Sequence, residues 1–68
     1  MRTFIYNGED DYVAMLRYLA LCRMEKTAGI VAIADETFHV SSEGRFFDKV
    51  PPIVHEVKSI LADIIRRH

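Results

Sequence analysis

The stretch TAGIVAIAD, residues 27–35, decides what kind of fold this chain can build. A run of good helix formers precedes it, and an extension of that helix competes with a strand over the five residues 30–34. Two features favour the strand. Thr27-Ala28-Gly29 punctuates the chain, with Gly29 free to take the left-handed conformation that ends helices. Residues 30–34, IVAIA, then form a short, β-branched apolar run bounded by Gly29 and Asp35, which suits a buried strand. Being apolar at successive positions, the run is predicted to be covered on both faces.

Upstream, RTFIY (residues 2–6) alternates and is β-branched and aromatic, which predicts a short strand. Asn7-Gly8 breaks it, since both residues tolerate positive φ. Glu9, Asp10 and Asp11 follow, and three carboxylates here suit the positive end of a helix dipole and its orphan N–H groups. The helix is predicted over residues 10–26, from Ala, Met, Leu, Arg, Glu and Lys.

Downstream, Asp35-Glu36 reads as a turn and TFHVS (residues 37–41) resumes in period two. Phe38 and Val40 share one face; Thr37, His39 and Ser41 share the other. Ser42-Glu43-Gly44 makes the next turn, and RFFDKV (residues 45–50) is a further strand or an irregular segment. Pro51-Pro52 opens a last helix, where a missing N–H costs nothing. Ile53, Val54, Val57, Ile60, Leu61, Ile64 and Ile65 recur there at three- and four-residue steps, giving one apolar stripe wide enough to cover a sheet face. Arg66-Arg67-His68 places positive charge at its negative end. The predicted class is α+β, one domain over residues 1–68 in the order β-α-β-β-(β)-α, with a mostly antiparallel sheet and two helices packed on it.

Sixty-eight residues bury a smaller share of their surface than a larger domain does. With one cysteine, Cys22, no internal disulfide can form, so tight packing or association has to supply stability. The first helix points to association. At about 100° per residue, Tyr12, Val13, Leu16, Leu19 and Ala20 share a broad face, while Asp10, Asp11, Arg17 and Glu25 mark the opposite sector. Yet Tyr18 and Leu21 fall in that polar sector, with Met15 and Cys22 at its edge. A helix apolar nearly all round is buried on all sides, and a three-stranded sheet with two helices cannot wrap the far side of one. The predicted binding residues are therefore Met15, Tyr18, Leu21 and Cys22, with Arg17 ringed by them. Tyr and Arg are enriched at interface hot spots.

Chemistry finds little support. Cys22, His39, His55 and His68 are widely separated, without the tight ligand pairs of structural zinc sites. His55-Glu56 lacks the second histidine of a zinc-protease helix, since position 59 is Ser. Ser41 and Ser42 are turn residues outside any G-x-S-x-G elbow, and the scattered glycines form no phosphate-cradling loop. The expectation is no enzyme, no cofactor and no metal.

Nine basic against ten acidic residues, a net charge of −1, argue against a dedicated nucleic-acid binder. The rival reading rests on Arg45, Lys49, Lys58, Arg66 and Arg67, with Phe38, Phe46 and Phe47 as stacking platforms. In the second half of the chain, TFHVSSEGRFFDKV followed by a long helix resembles the hairpin wing and trailing helix of winged-helix proteins, which implies DNA binding. That family's recognition helix has no counterpart here, because TAGIVAIADE carries no basic residue.

No apolar run is long enough to cross a bilayer, and the amino end turns acidic before a signal segment could form. The chain is thus expected to be a cytoplasmic regulator, adaptor or inhibitor. It would act by burying an apolar face of its first helix against another protein or itself, as a homodimer or larger.

Overall fold

A computed structural model describes residues 2–8, 10–47 and 49–67. Five elements follow one another: β1 (Arg2–Tyr6), α1 (Asp11–Glu25), β2 (Gly29–Ile33), β3 (Glu36–Val40) and α2 (Pro52–Arg67). The class is α+β in the expected order, and the decisive stretch is a strand. The sheet runs β1-β2-β3 and is mixed, not mostly antiparallel. α1 carries the chain back along the sheet, so β1 and β2 pair in parallel, with Phe4 opposite Val31. The tight turn at Ala34-Asp35 makes β2 and β3 antiparallel, with Phe38 opposite Val31. Residues 45–50 contribute no named strand; the segment is irregular, with an isolated bridge between Val40 and Phe46. Asp48 within it, Glu9 of the acidic triplet and His68 of the basic tail lie outside the described residues.

Strand parity sorts the sheet into a covered and an open face. Tyr6, Val31, Phe38 and Val40 point to the covered face and are buried. Tyr6, Val31 and Val40 meet Tyr12, Met15, Tyr18 and Cys22 of α1 and Val54 and Val57 of α2, while Phe38 packs against Phe46. On the opposite face Thr3, Ile5, Thr37 and His39 are exposed, and Ile30 and Ala32 are only half-buried. Both helices lie on one side, so the expectation that residues 30–34 are covered on both faces is corrected. A continuous apolar run here marks a central strand of a one-sided sheet.

The helix ends also differ from expectation in detail. Asp11 accepts a 2.7 Å hydrogen bond from the Asn7 N–H through its carboxylate, tying the β1–α1 loop to the first turn. At the far end Lys26, and not Gly29, takes the left-handed position, at φ 52°. Its N–H and that of Thr27 bond back to the carbonyls of Arg23 and Cys22. Gly29 belongs to β2 for a steric reason: a Cβ there would fall on the Tyr18 hydroxyl and 3.2 Å from the Cys22 sulfur. Pro51 is fully buried and Pro52 starts α2.

Candidate protein-binding surface

The expected binding set divides sharply. Met15 is fully buried, and Tyr18 and Cys22 are nearly so, packed into the domain's own core; Arg17 and Leu21 are exposed. The outward placement of Met15, Tyr18 and Cys22 is corrected: α1 is turned by roughly a third of a revolution from the face that its charges suggested. The cause is the Tyr18 hydroxyl. It donates to the Arg2 carbonyl at 2.6 Å and accepts from the Ile30 N–H at 2.9 Å, clamping β1 to β2. A polar-tipped side chain with two internal partners is a good core residue, which hydropathy alone hides. Burial pushes the Tyr18 phenol above its ordinary pKa of 10.

The apolar excess of α1 is nevertheless real. Outside the core α1 carries Val13, Leu16, Leu21 and Met24, each between 43% and 76% exposed. α2 shows the same excess more plainly. Its stripe begins buried, at Val54 and Val57, and continues past the edge of the domain as Ile60, Leu61, Ile64 and Ile65. The expectation that the whole stripe covers the sheet therefore holds for its first half alone.

Between the helices lies an open groove of about 350 Å³, floored by Leu16 and Leu19 of α1, Val54 of α2, and Phe46 and Val50 of the connecting loop. A shallower hollow of about 230 Å³ extends it along α1 to Ala20, Arg23 and Gly44. The loop that forms its wall is held by Ser41, whose hydroxyl accepts from the N–H groups of Glu43 and Arg45. Gly44, at φ 78°, sits where a Cβ would come 2.5 Å from the Leu19 carbonyl, so the loop can press against α1 only with glycine there. Sequence reasoning missed this groove. The residues that form it come from three segments whose meeting no local pattern announces.

The basic residues of the rival reading are dispersed. Arg45 and Lys58 border the groove. Lys49 lies 3.9 Å from Glu36 and over the Phe38 ring, while Arg66 pairs with Asp63 near the distal end of α2. Phe38 is buried and meets the half-buried Phe46 edge to face, so neither offers a free stacking face; Phe47 is exposed. Among the described residues no three His, Cys, Asp or Glu side chains gather to hold a metal, and no helix is long and apolar enough to cross a membrane. No family model, curated protein or solved structure matches the chain.

Proposed function

We propose that the protein is a non-enzymatic interaction module, a regulator, adaptor or inhibitor that works by occupying a partner's surface and associates with itself. The observation that carries this reading is the free half of α2. Four large aliphatic side chains on adjoining turns stand between 44% and 74% exposed, in line with a stripe whose first half is core. A helix held at one end gains little from propensity beyond its packed turns, so an uncovered stripe of this kind favours burial against a second surface. The exposed apolar side of α1, with Arg17 and Leu21 on it, supports the same reading. Cys22 as a lone buried thiol accords with a reducing compartment, and we place the chain in the cytoplasm.

The test compares wild type with Ile64→Lys by sedimentation and by thermal melting over a range of concentrations. Wild type is expected to be a dimer or larger at micromolar concentration, with a melting temperature that rises with concentration. Ile64→Lys is expected to remain folded as a monomer whose melting does not depend on concentration. A monomeric wild type with α2 helical to its last turn would refute the reading, because the stripe would then need no cover.

A further inference from the structure

We infer that the groove between α1, α2 and the 41–50 loop is a docking site for an acidic amphipathic helix of another protein. This rests on the interaction-module reading and names the partner's chemistry. The floor is aliphatic and aromatic, with Leu16 and Val50 about two-fifths exposed, and about 350 Å³ falls in the range of sites that accept apolar side chains. The rim is strongly one-signed. Among the described residues, Arg45 and Lys58 border the groove and Arg23 its extension, against a single carboxylate, Glu43. None of the three cations forms an ion pair among the described residues, although the chain as a whole is slightly acidic. Such a rim selects a partner with carboxylates flanking its apolar face.

The backbone decides that this partner is helical. Two walls of the groove are helices whose main-chain bonds are internal. The third is a loop whose Ser41, Gly44 and Arg45 N–H groups are already bonded within it, while the Phe47 N–H bonds to His39. Among the described residues no named strand lines the groove, so it suits a docked segment that satisfies its own main chain, as a helix does. A second copy fits poorly. The free end of α2 would bring Arg66 and Arg67 against Arg45 and Lys58, and the outer side of α1 would bring Arg17.

The experiment uses two fluorescent helical peptides of about 15 residues with leucines on one face. One is flanked by Glu and Asp, the other by Lys. They are titrated by anisotropy into the intact protein and into an Arg45→Glu/Lys58→Glu double variant. Both positions are exposed, and circular dichroism checks that the fold is kept. The acidic peptide is expected to bind wild type saturably, to weaken at least tenfold on charge reversal and to weaken with salt. The Lys-flanked peptide is expected to bind the double variant in preference to wild type, a gain that misfolding cannot produce. Equal binding of both peptides to wild type, no saturable binding, or tighter binding of a single-stranded oligonucleotide would overturn the proposal. A change of oligomeric state in the double variant would also overturn it, by identifying the occupant as a second copy. Ile64 is not among the residues that line the groove, so a failed self-association test leaves this outcome independent.

Discussion

Removing a single oxygen should test how this small domain is held together. In Tyr18→Phe the ring keeps its place in the core, but the Arg2 carbonyl and the Ile30 N–H lose their shared partner. A buried backbone group left unpaired costs about 1–3 kcal/mol. Both bonds are only part-buried, so water recovers some of that cost, and the lower half of the range applies to each. The expected loss is about 2 kcal/mol, against a total that for so short a chain is rarely above about 3–5 kcal/mol. In melting temperature that amounts to roughly 8–16 °C. Urea titration followed by circular dichroism measures it, with Tyr12→Phe as the control. The Tyr12 hydroxyl makes no hydrogen bond among the described residues, so its removal should cost under about 0.5 kcal/mol. The same oxygen leaves a pH signature. Its folded pKa lies above the ordinary 10, so its neutral form favours the fold fully below pH 10. That contribution is lost as pH rises beyond 10, where the unfolded phenol ionises first. Wild type should therefore show an alkaline loss of stability that is reduced in Tyr18→Phe. If Tyr18→Phe is no less stable than Tyr12→Phe, the hydroxyl does not clamp the strands.

Gly29→Ala places a methyl group on the Tyr18 hydroxyl and should cost about 1–3 kcal/mol by overpacking. Combined with Tyr18→Phe it should cost less than the sum, because both changes disrupt one contact; strict additivity in urea titrations would count against that geometry. Met15→Lys buries a charge at the fully buried position of α1 and should unfold the domain. Leu21→Lys, at 43% exposure, should leave the circular dichroism spectrum unchanged. A Met15→Lys protein that stays folded would restore the outward placement that the charges suggested. Ala34 holds φ 53° in the β2–β3 turn; Ala34→Gly should relieve that strain and raise stability by about 0.5–1 kcal/mol in the same titration.

Period and punctuation made the elements legible. The strand at residues 2–6 is Arg2–Tyr6, the helix predicted over 10–26 is Asp11–Glu25, and Pro51-Pro52 introduces the second helix. These follow from local physics, namely which residues tolerate positive φ, which lack an N–H, and how side chains alternate along a strand. The rotation of α1 was not legible. The scatter of apolar residues around it leaves no dominant face, and a tyrosine that is polar by composition becomes core once two strand backbone groups satisfy it.

Charge and hydropathy along the chain thus determined that α1 is apolar nearly all round, and that α2 has a single stripe. Only the tertiary structure decided where those apolar side chains lie. Gly29 admits the Tyr18 ring over β2, and Gly44 lets the loop close on Leu19. The groove with its Arg45 and Lys58 rim arises where three distant segments meet. The end of α2 remains uncovered because the packed core reaches Val57 and the apolar stripe continues beyond it. Periodicity specifies which side chains share a face, but the solvent exposure of that face depends on how much domain lies beside it.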